Sequence, residues 1–147
     1  MKQIYVASDH AGIELKAAVC ARLVEHGCAV EDLGPGAEDG RVDYPDYAGE
    51  LAGRVANGGA EGILICGTGI GMSMAANKVP GIRAALAHDL FTATMAREHN
   101  NANVLVLGAR VLEEALALDM VGAWLQGEFE ARHQMRLDKL HGLEGEQ

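Results

Sequence analysis

The sequence predicts an α/β fold: a parallel sheet of five strands with helices covering both faces. Three observations point to it. Short apolar runs alternate with longer stretches of helical periodicity. The runs "IYVA", "GILIC" and "NVLVLG" are apolar without a break, as strands buried on both sides must be. Polar residues able to do chemistry stand just after those runs, where ligands bind in open α/β sheets.

Taken in order, "IYVA" is the first strand and ends at "SDHAG", which supplies Asp9 and His10. From about Ala11 to His26, Leu15, Val19 and Leu23 recur at helical spacing, and Gly27 stops the helix. "AVEDL" is the second strand, and a second helix runs from about Tyr44 to Ala56. "GILIC" is the third strand, from whose glycine loop a helix of about Gly71 to Lys78 departs. "RAALA" is the fourth, followed by a helix from Asp89 to His99. "NVLVLG" is the fifth and leads to Arg110. The tail, from about Leu112 to His141, reads as two helices broken near "QGE", and "RHQMR" sets Arg132 and Arg136 on one helical face. The 147 residues are expected to form one domain.

A net charge of -9 argues against a nucleic-acid or anionic-membrane surface. An anionic substrate therefore needs a local basic patch, which Arg132 and Arg136 would supply. No apolar run approaches a membrane span and "MKQIYVASDH" turns polar too early for a signal peptide, so a cytoplasmic protein is expected. Cys20, Cys28 and Cys66 are an odd number without CxxC spacing, which fits neither a disulfide framework nor a zinc site. No His, Cys or carboxylate set has metal-ligand spacing, and Asp43 has no partner near it in sequence, so no metal is expected.

The stretch "LICGTGIGMS" concentrates the chemistry. Gly67, Gly69 and Gly71 do not fit GxGxxG, because Met72 stands where the third glycine belongs, and no GK[ST] follows. What remains is a nest of N–H donors at a helix start, suited to an oxyanion, or else a tight turn of packing glycines. Cys66 precedes that nest, where thiolate is favoured, and is a candidate base or nucleophile; the bland alternative is a small core residue. Cys20 and Cys28 carry only the core reading. His99 closes a helix beside Asn100, and Asp9 suits a helix N-cap, whereas His10 at a strand end is harder to explain without a ligand. Asp89, about 20 residues past the loop, keeps open a non-catalytic nucleotide-binding module with a ribose contact. That module leaves Cys66 and His99 without a task.

With "SDHAG", "DYPDYA", "GILICGTGIGMSMAANKVPGIRAAL", "REHNNANVLVLGAR" and "RHQMR" in this order, the sequence resembles the ribose-5-phosphate isomerase B family from Ile4 to about Arg136. The resemblance implies a Rossmann-like three-layer α/β/α sandwich and interconversion of ribose 5-phosphate and ribulose 5-phosphate through a cis-enediolate, without cofactor. It implies a homodimer, with tetramers as a further pairing, tail helices from about Leu112 contributing to the dimer, and sites shared between subunits. Cys66 looks like the base that moves the proton between C1 and C2. His99 looks like the residue that opens the furanose ring, helped by Thr68 or Asp9. The loop Gly67, Thr68, Gly69, Ile70 and Gly71 resembles the anion hole for the enediolate. His10, Arg110, Arg132 and Arg136 match phosphate and substrate contacts, and Asn100 a hydroxyl contact. Relatives in the family act on galactose 6-phosphate, allose 6-phosphate or tetrose phosphates, which are the alternative substrates. Some members use a glutamate in the glycine loop; Met72, Met74 and Ala75 leave no carboxylate there, so this chain looks like the cysteine type.

Overall fold

A computed structural model describes residues 1–145. Five strands, β1 (Gln3–Ser8), β2 (Ala29–Asp32), β3 (Ala60–Cys66), β4 (Ala84–Leu86) and β5 (Val104–Gly108), lie parallel in the order β2-β1-β3-β5-β4. Between and after them run α1 (Ile13–Glu25), α2 (Tyr44–Ala56), α3 (Ile70–Ala76), α4 (Leu90–Glu98), α5 (Glu114–Gln126) and α6 (Gln134–Gly142).

Strand side chains alternate between faces, and the two cores follow from that period. Ile4, Val6, Ile63, Ile65, Leu105 and Leu107 point to one side, where α1, α4 and α5 cover them with Leu15, Val19, Leu23, Ala96, Met120 and Trp124. Ala7, Leu64, Cys66, Val104 and Val106 point to the other, against Leu51, Val55, Met72 and Ala76 of α2 and α3. This is the three-layer arrangement expected from uninterrupted apolar strands. Small residues set the spacing: a Cβ on Gly62 would stand 2.5 Å from the Leu51 side chain, so α2 could not close on β3 with anything larger there.

The first helix differs slightly from expectation. Residues His10–Gly12 form a 3-10 turn capped by Asp9 before α1 begins. Gly12 is pressed against Ile65, whose Cγ2 a Cβ would meet at 2.6 Å, and that approach tightens the entry.

The tail requires a correction. Arg132 and Arg136 do not share a helical face, because Arg132 lies in a 3-10 turn (Ala131–His133) and only Arg136 is in α6. The chain leaves α5 extended at Gly127, and the Glu130 N–H bonds to the Glu98 carbonyl (2.9 Å) at the end of α4. That tether forces a tight turn before helix can resume.

Arg97 holds this corner together. Its guanidinium is buried, makes a bidentate pair with Glu61 at 2.7 and 2.8 Å, donates to the Trp124 carbonyl at 3.0 Å and stacks over the indole at 4.8 Å. It joins α4, α5 and the start of β3. Replacing Arg97 with Ala leaves the largely buried Glu61 carboxylate with only the half-exposed Lys2 ammonium, 3.1 Å away, as a charged partner. Urea denaturation is expected to show a loss of about 3–5 kcal/mol; a loss under about 1 kcal/mol would mean that the pair is merely superficial.

Candidate functional site

In the strand order, β1 and β3 are neighbours whose following connections go opposite ways, which opens a crevice at their carboxyl ends. The last rung is a bond from the Asp9 N–H to the Ile65 carbonyl at 3.0 Å. Just beyond it stand Asp9 and Cys66, both buried.

Cys66 ends β3, and its sulfur accepts the Gly69 N–H at 3.2 Å. Gly69 reaches back in this way because its φ is +82°, a conformation that glycine adopts freely. The Ile70 N–H goes to Thr68 Oγ1, also at 3.2 Å. Two amides expected to serve an external oxyanion are thus directed inside the loop, one of them onto the thiol.

Around the thiol lies a cleft of about 420 Å³, lined by Asp9, Tyr44, Cys66, Thr68, Met74 and Arg110 together with Gly67, Ile70 and Gly71. The Asp9 carboxylate accepts the Ala11 N–H at 2.9 Å. Arg110 is placed by its own N–H on the Gly67 carbonyl (2.9 Å), and its guanidinium lies over Gly67, where a Cβ would come within 3.1 Å of a terminal nitrogen. The Tyr44 ring lies in the same way over Gly71. His10 is exposed and accepts the Val42 N–H at Nδ1 (3.2 Å), so a neutral ring carries its proton on Nε2. Sequence reasoning missed Tyr44 and Met74 as lining residues; an aromatic at the first position of α2 was the available signal.

His99, Asn100, Arg132 and Arg136 gather elsewhere, with His133, in a second cleft of about 340 Å³ that shares no lining residue with the first. His99 caps the end of α4, as its position in "REHNN" implied. Glu130, which sequence reasoning overlooked, puts Oε2 3.7 Å from His99 Nε2 and 3.5 Å from His133 Nε2, and receives Arg132 at 2.8 and 3.0 Å. The Arg132 hydrogen bond holds the Glu130 carboxyl below the usual carboxylate range. His133 is buried, and burial followed by the charges of Arg132, His99 and Arg136 pushes its pKa down.

Sequence spacing did not reveal one grouping: His99, Glu130 and His133 offer ligand atoms within 4.8 Å of one another. Glu130 and His133 are near neighbours in sequence, but His99 meets them only because the tail returns to α4. Their chemistry nevertheless suits an anion better than a cation. Arg132 occupies the carboxylate, and Arg136, which can only donate, bonds His133 Nδ1 at 2.9 Å, so a neutral His133 presents Nε2–H.

Other sequence candidates have local tasks. Asp89 caps α4 by accepting the Thr92 N–H and hydroxyl, each at 2.7 Å, which disposes of it as a ribose contact. Burial and the charge of Asp32 raise the Cys20 thiol to about 11, and Cys28 packs at the edge of a core. A further cavity of about 400 Å³ lies beside Asn77, Arg83 and His141, but the Arg83 guanidinium there donates to the Asn101 carbonyl and meets His141. Among the described residues no helix is long and apolar enough to cross a membrane.

Comparison with known proteins agrees with this geometry. The chain matches the Ribose/Galactose Isomerase family over residues 4–140. It is 45% identical to ribose-5-phosphate isomerase B of Escherichia coli, covering 98% of this chain and 97% of that one. It is 46% identical to D-erythrulose-4-phosphate isomerase of Pectobacterium atrosepticum, over 88% of this chain and 86% of that one. The crystal structure of ribose-5-phosphate isomerase B from Mycoplasma genitalium with bound ribulose-5-phosphate superposes with a TM-score of 0.93 at 43% identity, covering 99% and 97% of the two chains. A thiol held by a loop amide at the sheet's switch point, a nearby guanidinium and a near full-length match together mean that the chain belongs to the ribose/galactose isomerase family and is a sugar-phosphate isomerase.

Proposed function

We propose that the chain interconverts D-ribose 5-phosphate and D-ribulose 5-phosphate, with Cys66 as the base. The observation that carries this reading is the Cys66 sulfur, buried in an open cleft beside Asp9 and Arg110 and receiving the Gly69 N–H. Isomerisation moves the hydrogen on C2 to C1 and the hydroxyl proton on O2 to O1 through an enediolate. It needs a base within reach of both carbons, donors for the developing oxyanion and little water. The Cys66 thiolate removes the C2 proton and returns it to C1. Arg110 and the remaining loop donors face the enediolate oxygens.

Ribose 5-phosphate arrives as a furanose, so the ring must open first. In this reading His99 gives a proton to the ring oxygen as its bond to C1 breaks, and Asp9 or Thr68 helps remove the C1 hydroxyl proton. His10, Arg132 and Arg136 bind phosphate, and Asn100 a hydroxyl. Asp9, Cys66, Thr68 and Arg110 line one cleft of the chain and His99, Asn100, Arg132 and Arg136 a separate one, so in this reading the complete site combines the Cys66 cleft of one subunit with the His99 cleft of another in a homodimer. Exposed apolar residues support that pairing: Ile70 and Met74 on the outer face of α3, with Leu86, Leu90 and Phe91. Leu86 itself rests against Gly69 of the glycine loop.

A second reading, a tetrose-phosphate isomerase, is favoured by the relative named for D-erythrulose 4-phosphate. A panel of ribose 5-phosphate, erythrose 4-phosphate, galactose 6-phosphate and allose 6-phosphate separates the two. Ribose 5-phosphate is expected to lead in kcat/KM by about tenfold or more; a tetrose or hexose in front moves the assignment to that sugar.

Turnover of ribose 5-phosphate is expected to persist in EDTA and to fall about 10²–10⁴-fold in Cys66→Ala, while the Cys20→Ser, Cys28→Ser double variant stays active. Full activity in Cys66→Ala would remove the thiol from the mechanism. The shared site has its own test. A Cys66→Ala chain and a His99→Ala chain, each inactive, should regain about a quarter of the parent rate after subunit exchange, since a two-fold dimer of unlike chains keeps one intact site. No recovery, or an active monomer by light scattering, would place the whole site in one chain.

A further inference from the structure

Glu130 stands behind three of the residues that line the second cleft, His99, Arg132 and His133, and has no task in the reaction as described. One of its oxygens, Oε2, faces three nitrogen-bearing groups: Arg132 at 2.8 Å, His133 Nε2 at 3.5 Å and His99 Nε2 at 3.7 Å. Of these only the arginine is in hydrogen-bond contact. The two imidazoles wait just outside that range, with ring centres 4.3 Å apart.

The backbone fixes where the carboxylate can go. The Glu130 N–H on the Glu98 carbonyl, 2.9 Å, ties the residue to the end of the helix that His99 caps. His133 is held from behind by Arg136 at Nδ1, and its Nε2, with no hydrogen-bond partner, lies on the carboxylate side. A buried N–H without an acceptor is costly, and a short shift of Glu130 toward the imidazoles would satisfy it. What keeps Glu130 from making that shift is Arg132.

We propose that Glu130 is a positioning residue: it holds Arg132 while the cleft is empty, and passes to His99 and His133 when the substrate's phosphate takes the guanidinium. The inference rests on the phosphate role of Arg132 and the ring-opening role of His99 proposed above. Phosphate is the better partner for Arg132, since it offers a second negative charge and more acceptor oxygens. Once displaced, the carboxylate lies beside the two imidazoles, compensates a charged His99 and steadies the ring that must protonate the sugar's ring oxygen. Phosphate binding thereby prepares the proton donor, so ring opening is favoured only with substrate seated.

The exchange has an unusual signature, because removing Glu130 should improve one property and damage another. In Glu130→Gln, inorganic phosphate is expected to inhibit about two- to fivefold more tightly, the worth of a partly exposed ion pair. Turnover of ribose 5-phosphate, which needs ring opening, should fall about tenfold. Ribulose 5-phosphate cannot form a furanose, its C5 oxygen being esterified, so exchange of its C1 hydrogen with D2O, followed by NMR, should stay within about twofold of the parent. Glu130→Asp keeps the charge near Arg132 but shortens the reach, and should slow ring opening without tightening phosphate. The proposal is overturned if phosphate inhibits Glu130→Gln no better than the parent, or if turnover and C1 exchange fall together, as damage to the fold would produce. A His99→Gln variant with undiminished turnover of ribose 5-phosphate would instead remove the ring-opening role itself, and this proposal with it.

Discussion

The pairing of β1 with β3 fixes the position of everything at the carboxyl edge of the sheet. Six residue pairs align the two strands, from Gln3 and Ala60 to Ser8 and Ile65, and the Asp9 N–H adds one more bond past the end. Because the period of a strand is two, that register decides that Cys66 turns toward α2 and α3 and not into the larger core. A slip of one residue would send the sulfur to the other face. The carboxylate of Asp9, the thiol of Cys66 and the glycine loop between β3 and α3 are thus placed by backbone hydrogen bonds, which vary little with side-chain identity.

The glycine loop is held from the opposite side by β5. Gly108 ends that strand, and a Cβ there would stand 2.5 Å from the Thr68 carbonyl oxygen. The Ala109 and Arg110 amides then bond to the Cys66 and Gly67 carbonyls, each at 2.9 Å. The loop is therefore fastened to β5 along its first residues, leaving its far side facing the cleft. In an acidic chain of net charge -9, the guanidinium of Arg110 supplies attraction for an anion locally that the molecule as a whole does not.

Much of this was legible in the sequence. All five strands lie where apolar runs were read, and α2 occupies Tyr44–Ala56 as expected. These elements are legible because their signals are local: an unbroken apolar run, a four-residue period, a glycine after a helix. The linkage of Asp9 to Cys66 was also accessible, because strand ends in a parallel sheet share one edge. Three features were not. The inward turn of the Gly69 and Ile70 amides depends on where a neighbouring sulfur and hydroxyl come to rest. The 3-10 turn at Arg132 arises from a tether to α4 that no periodicity encodes. The meeting of His99 with Glu130 and His133 needs the tail to return to the end of α4, and sequence spacing says nothing about such returns.

Trp124 is the chain's single tryptophan. It is fully buried, its indole N–H on the Ala102 carbonyl at 2.9 Å and the Arg97 guanidinium against its ring. The indole thus sits under the corner where α4 and α5 meet, against Arg97 and Ala102, which flank His99 in sequence, and far along the chain from the glycine loop. Its fluorescence is a built-in optical gauge of that corner: emission from a dry, cation-stacked indole differs from that of one in water. Loosening of α5 would register as a red shift, without any label, whereas rearrangement confined to the Cys66 loop would pass unseen. The protein carries its own means of telling motion beside one cleft from motion beside the other.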